Sequence, residues 1–129
     1  MNYHLTKTIH TTSMALVKEK VQALLAEHGF GIVTTLDISE KINSKLNIAY
    51  RPYLVLGVCN PQFAFQALEI EPYMGALLPC TLVLQENINN SVTVSFLNPD
   101  LFATITGNVS LSLLTHEVFL IMQTVLNAL

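Results

Sequence analysis

Thr81-Leu82-Val83-Leu84-Gln85-Glu86-Asn87-Ile88-Asn89-Asn90-Ser91-Val92-Thr93-Val94-Ser95-Phe96-Leu97 is the stretch that decides the fold. Two strand-type runs, Thr81–Glu86 and Ser91–Leu97, are joined around Asn89-Asn90. Asn tolerates positive φ, so the junction reads as a tight hairpin. A hairpin makes this part of the sheet antiparallel. The segments on either side then decide what covers it.

Upstream, Tyr53–Val58 is apolar on both faces, which suits a central or covered strand. Asn60 and Pro61 follow as N-cap and first residue of a helix running to about Ile70, ended by Pro72 and Gly75. Tyr50–Pro52 is an extended lead-in, because the residue before proline disfavours α geometry. Earlier still, Phe30–Leu36 is a strand. Asp37 and Glu40 then form a capping box for a short helix with the apolar stripe Ile38, Ile42 and Leu46. Tyr3–His10 is the first strand, with Tyr3, Leu5 and Ile9 on one face and His4, Thr6, Thr8 and His10 on the other. Thr12 or Ser13 caps a helix whose stripe is Met14, Val17, Val21, Leu24 and Leu25, and Gly29 is its C-cap. Downstream, Asn98-Pro99 starts a short helical turn. After Gly107 a last helix runs from about Ser110 with the stripe Leu114, Val118, Ile121, Val125 and Leu129. The order is β-α-β-(α)-β-α-β-β-α. It predicts a two-layer α+β fold: a mainly antiparallel sheet of about five strands with helices on one face.

The 129 residues fit one domain, 1–129, with a core of its own. Hydrophobic residues make up 51% of the chain and charged residues 12%, which excludes disorder. Mean hydropathy is +0.48, so a membrane has to be considered. A span needs roughly 20 apolar residues in a row. Met74–Leu84 is too short and holds Pro79, and Val109–Leu129 is interrupted by Ser110, Thr115, His116, Glu117 and Gln123. The Glu117 charge near its middle points to a helix buried in protein, with no membrane as partner. Net charge is −3 and Arg51 is the one arginine, so no basic stripe exists for nucleic acid. No signal peptide is read at the N-terminus, and Cys59 and Cys80 do not make a disulfide scaffold, so the expected compartment is the reducing cytoplasm.

Several short motifs converge. Gly29-Phe30-Gly31 leads into a strand ending near Asp37. Gly57-Val58-Cys59-Asn60-Pro61 follows, then Leu68, Pro72, Gly75 and Leu77-Leu78-Pro79-Cys80-Thr81. Over nearly its whole length the chain resembles the domain-of-unknown-function family numbered 302, found mostly in bacteria and archaea. The Cys-Asn-Pro and Pro-Cys pieces carry most of the likeness. Asn98-Pro99 stands where the family would lead one to expect Asp-Pro, and it keeps the cap. The resemblance implies a two-layer fold similar to one half of the TATA-binding-protein architecture. It implies no assigned activity and no DNA binding, since function does not travel with fold.

Cys59 ends a strand just before a helix N-terminus, where the dipole favours a thiolate and can hold an anion. A small buried core cysteine explains it as simply. If the strand beginning at Cys80 lies beside the one ending at Cys59, the thiols could form a redox pair or half of a soft metal site. Zinc wants four Cys or His ligands. His4 and His10 are about 20 Å apart on a strand, and no spacing motif recruits His28 or His116. No metal or other cofactor is therefore assigned. Asp37 and Glu40 could be a catalytic carboxylate pair, but capping accounts for both. Nucleophile-elbow, phosphate-loop and dinucleotide motifs are absent, so no catalytic residue is named.

Three readings follow. The first is a small-molecule or anion-binding module, with Cys59, Asn60, Cys80, Tyr53 and Asp37 as binding residues and Tyr73 and Met74 nearby. The second is an interaction domain without ligand. The third is a thiol-dependent redox or metal-linked module using Cys59 and Cys80. The apolar surplus also predicts a homodimer that buries the open sheet face, the last helix, or both. Phe119, Leu120, Met122 and Leu126 widen that helix's stripe past the usual roughly 100°.

Overall fold

The predicted hairpin lies at the middle of the sheet. A computed structural model of the chain describes residues 2–10 and 13–129. Thr12, one of the two expected caps of the first helix, lies outside them. Strands β1 (His4–His10), β2 (Gly31–Asp37), β3 (Tyr53–Cys59), β4 (Cys80–Glu86) and β5 (Ser91–Leu97) form one sheet in the order β1-β5-β4-β3-β2. Every neighbouring pair is antiparallel. Asn90 takes φ 57° in the β4–β5 loop, and the Asn87 N–H closes it on the Ser91 carbonyl at 2.8 Å.

Alternation along the strands sorts the two faces. Leu56, Val58, Leu82, Leu84, Val92, Val94 and Phe96 point to one side and are all buried. Helices α1 (Met14–Ala26) and α5 (Ser112–Asn127) cover that side. Ser13 caps α1 by accepting the Leu16 N–H at 3.1 Å, and Val17, Val21 and Leu25 of its expected stripe are buried. The last helix starts through a 3-10 turn at Val109–Leu111. The segment Val109–Asn127, with mean hydropathy 1.5, is long and apolar enough to cross a membrane; here its buried residues pack into the core. Met122 and Leu126, expected to widen its stripe outward, are in that core, because α5 also meets α1 and α3 (Pro61–Ile70). Leu120 stays exposed and Phe119 half-buried, stacked on the His116 ring.

A second apolar cluster closes one end of the sheet. It joins Ala67 of α3, Met74, Phe102 of α4 (Phe102–Thr106), Leu111 and Leu114. Pro72 does end α3, but Gly75 sits inside a 3-10 turn, Pro72–Leu77, that carries Met74 inward. Helix α2 (Ile38–Leu46) departs from its expected stripe. Ser39 is its buried residue and Leu46 is exposed. The Ser39 hydroxyl accepts the Tyr53 N–H at 3.1 Å and donates to Asp37 at 2.5 Å, so a hydrogen-bonded hydroxyl helps dock this helix beside the half-buried Ile38 and Ile42.

Among the described residues the other face of the sheet is covered by neither α1 nor α5, and the end of the Pro72–Leu77 turn borders its Gly57–Thr81 corner. Toward β1 and β5 it is polar, with Thr6 bonded to Ser95 at 3.0 Å and Thr8 to Thr93 at 3.1 Å. Toward β2, β3 and β4 it presents Leu36, Tyr53, Val55 and Val83.

Candidate functional site: an apolar cleft with two thiols

The site forms where β3 ends and β4 begins. Pro61 has no N–H and fixes φ, so the chain leaves β3 and enters α3 with Asn60 as the cap. Asn60 Oδ1 accepts the Gln62 N–H at 3.0 Å and the Phe63 N–H at 3.4 Å. The Asn60 carbonyl accepts the Ala64 N–H at 2.9 Å. Its Nδ2 donates to the His28 carbonyl at 3.1 Å and so ties α3 to the end of α1. Gly29 makes room for this. It takes φ +78°, and a Cβ there would lie 2.9 Å from Asn60 Nδ2. Next to it, Phe30 and Phe63 stack with ring centres 5.9 Å apart.

Cys80 opens β4 directly opposite Val58. Cys59 is one residue on, which puts the two cysteine Cα atoms ~6 Å apart across neighbouring strands. Both cysteines are free and half-buried, and both residues border one cavity of about 40 Å³ that opens into a cleft; alternation turns the Cys80 side chain to the helix-covered face with Val58 and the Cys59 side chain to the other. Its walls are Phe63, Ala64 and Ala67 of α3, Met74, Phe102, and Leu114 and Val118 of α5. Thr115 also reaches it, with its hydroxyl donating to the Leu111 carbonyl at 3.1 Å. The polar atoms of Asn60 and Thr115 are therefore committed, and the Cys80 thiol is the soft group in an apolar chamber. Burial first, and the nearby Cys59 second, push the Cys80 thiol up to about 11. At neutral pH Cys80 keeps its proton.

Of the residues expected at a site, Cys59, Asn60 and Cys80 come together, and Met74 joins them. Tyr53 and Asp37 do not. Tyr53 starts β3, six residues and ~20 Å of strand from Cys59, on the face away from α1 and α5. Asp37 pairs with Leu54 at the same far end of the sheet. It caps α2 by accepting the Glu40 N–H at 2.9 Å. The Ser39 hydroxyl, with that N–H, holds its carboxyl below the ordinary value. Tyr73 points to solvent at 85% exposure, while its neighbour Met74 is buried. The anion reading meets a physical obstacle: Asn60 already takes the free N–H groups at the start of α3. Among the described residues no three His, Cys, Asp or Glu side chains converge as metal ligands. His116 faces Asp100 at 3.1 Å instead. Sequence reasoning missed Phe102, Leu114 and Val118. Periodicity marked the last two as core, but nothing local says which void they close.

Two further hollows lie on the face away from α1 and α5, of about 330 and 400 Å³, both shallow. Tyr3, Tyr53 and Val83 border one; Thr34, Val55 and Pro79 border the other.

No curated protein matches the chain. A solved structure described as the crystal structure of uncharacterized conserved protein DUF302 from Bacillus stearothermophilus is similar, with a TM-score of 0.90 over 98% of each chain at 24% identity. That likeness shows a shared fold. A family model described as "Domain of unknown function DUF302" matches residues 5–129, so the α+β chain built around the Cys59-Asn60-Pro61 turn belongs to the DUF302 family.

Proposed function

We propose that the protein is a small-molecule-binding module whose ligand inserts an apolar group into the cleft between α3, α4 and α5. One observation carries this reading. The cleft is apolar apart from the Cys80 thiol, and its other side-chain polar atoms are already hydrogen-bonded. Such a chamber favours a compact alkyl group or ring edge over an anion. The cavity of about 40 Å³ holds only the leading part of a ligand, and the rest stays in the open cleft. Benzyl alcohol is a suitable probe, with a ring to insert and a hydroxyl to leave in water. Titrated into labelled protein, it should give saturable amide shifts at Phe63, Ala67 and Met74 at millimolar concentration. Ala64→Leu, at the half-buried mouth, should abolish them. Unsaturable shifts, or the same shifts in Ala64→Leu, would refute the reading.

A second reading, self-association, is supported by the sheet face away from the helices of the core. Leu36, Tyr53, Val55 and Val83 form an apolar strip there on the side away from α1 and α5, and Leu113 and Leu120 of α5 are exposed as well. The occupant is a second copy of this chain in a homodimer. Light scattering at micromolar concentration should give the mass of a dimer; the mass of a monomer sinks this reading and leaves the first untouched.

A further inference from the structure

Charge divides the chain in two. All six basic residues precede Pro52, and residues 52–129 hold five carboxylates and no Lys or Arg. The fold sets charges of each sign beside exposed apolar side chains. Asn108 ties the end of α3 to the turn before α5, its Nδ2 donating to the Ile70 carbonyl and to Glu71 Oε1, both at 3.2 Å. Around that tie Leu68, Tyr73, Val109 and Leu113 are exposed, Val109 at 81% and Leu113 at 85%. Glu69 is exposed beside Leu68 in the chain, and Glu117 stands one turn after Leu113 on the same face of α5. This junction is an apolar surface with an acidic rim. The C-terminal end of α2 has the opposite charge. Leu46 and Ile48 are exposed there, between Lys45 and Arg51. Lys41 has Glu40 at 4.0 Å, but among the described residues neither Lys45 nor Arg51 has an ion pair. Strand β3 separates the two surfaces, with Arg51 before it and α3 after it. Among the described residues no ion pair joins them within one chain.

We infer that a second copy of this chain docks the Lys45–Arg51 end of its α2 on the acidic apolar surface where α3 meets α5. Leu46 and Ile48 supply the apolar contact, and Lys45 and Arg51 meet the acidic rim. The chain itself carries both halves of the match, which is why the occupant is a second copy. The same rim repels anionic lipid and nucleic acid. Apolar contact gives the affinity, and the charges set which ends meet. The inference rests on the self-association reading and adds the orientation of the copies. A two-fold axis uses the contact twice, each copy giving its α2 end and receiving its partner's. Neither the cleft nor its ligand is needed.

Sedimentation velocity of the full chain at micromolar concentration and pH 7 tests this, in about 0.05 M and about 0.5 M sodium chloride. Association should be about 10-fold weaker at the higher salt. Glu117→Lys and Lys45→Glu, both at exposed positions, should each weaken it by about 10-fold, and the double variant should recover part of that loss. Leu113→Ser should also weaken it by about 10-fold, through lost apolar contact. Circular dichroism checks that each variant is folded. If one variant does not fold, the salt series and the variant on the other surface decide. Association that ignores salt and both charge reversals would overturn the inference and leave self-association standing. So would a dimer that Val55→Lys, on the sheet, breaks and Leu113→Ser does not. A monomer at both salt concentrations would remove the self-association reading as well.

Discussion

Gly57→Ala tests the packing that sets β3 against the start of β4. Gly57 is buried in β3 and faces the side of the sheet away from α1 and α5. A Cβ there would lie 2.2 Å from Thr34 Oγ1 and 2.4 Å from Pro79 Cγ. Both distances are far inside van der Waals contact. Thr34 can turn its hydroxyl away at some cost, because a β-branched side chain has few χ1 choices. Pro79 is a closed ring in the residue before Cys80; a change of pucker shifts its Cγ only slightly, and any larger movement needs its backbone to shift. Overpacking of this kind destabilises by about 1–3 kcal/mol. Replacing Gly by Ala inside a strand recovers about 0.5–1 kcal/mol of conformational entropy. The net loss is then about 1–2 kcal/mol. For a chain of 129 residues that lowers Tm by about 4–8 °C. Thermal unfolding followed by circular dichroism at pH 7 measures it. Adding Thr34→Ala should restore only part of the loss, since the proline ring remains. A Gly57→Ala protein as stable as the parent would refute the close approach of Pro79. Full recovery by Thr34→Ala would refute the assignment of the strain to the ring.

Asn60→Ala should cost about 2 kcal/mol, because it removes the α3 cap and leaves the His28 carbonyl without its donor; denaturant titration with an unchanged m-value checks it. Asn98→Asp should destabilise by about 1–3 kcal/mol, since the buried Asn98 Nδ2 donates to the Asn2 carbonyl at 2.9 Å and a carboxylate there would face an acceptor; equal melting temperatures would sink this. Cys80 should contribute a pH-dependent stability. Its folded pKa, about 11, is above the unfolded value near 9. The contribution is therefore complete below about pH 9 and lost as pH rises through 11. It amounts to about 2–3 kcal/mol, and Cys80→Ala should flatten that part of the pH–stability curve.

The sheet was legible because its signals are local. Asn89-Asn90 marked the hairpin, alternation marked the faces of β1, and Asn60-Pro61 marked the start of α3. Each depends on residues within a few positions of one another. Helix α2 shows the limit. Its aliphatic spacing was right for a helix with Ile38 and Ile42 half-buried, but its one fully buried residue is Ser39, and a hydroxyl that bonds both Asp37 and the Tyr53 N–H leaves no periodic trace. The site was half legible for the same reason. Cys59 and Cys80 could be paired once their strands were adjacent. Tyr53 was assigned to the pocket because it shares a strand with Cys59, but a strand separates its ends by its whole length.

The cleft lies on the seam between the two apolar clusters, and Cys80 and Phe63 pack against both. One cluster is fixed by the pleat of the sheet and the α1 and α5 stripes. The other is fixed by the Pro72–Leu77 turn and the caps at Asn98 and Asn108, which bond the Asp100 and Ser110 N–H groups at 3.0 Å. Independent constraints on each side leave a mismatch where they meet. At the cost measured for engineered voids, the cavity of about 40 Å³ forfeits about 1 kcal/mol. A single larger aliphatic side chain at Ala67 or Ala64 would recover part of that. The chain instead keeps Ala64 and Ala67 on the α3 side, the Cys80 thiol on the strand side and the Met74 side chain nearby. Small residues on one wall keep the seam open, and that is what the insertion of a compact apolar group needs.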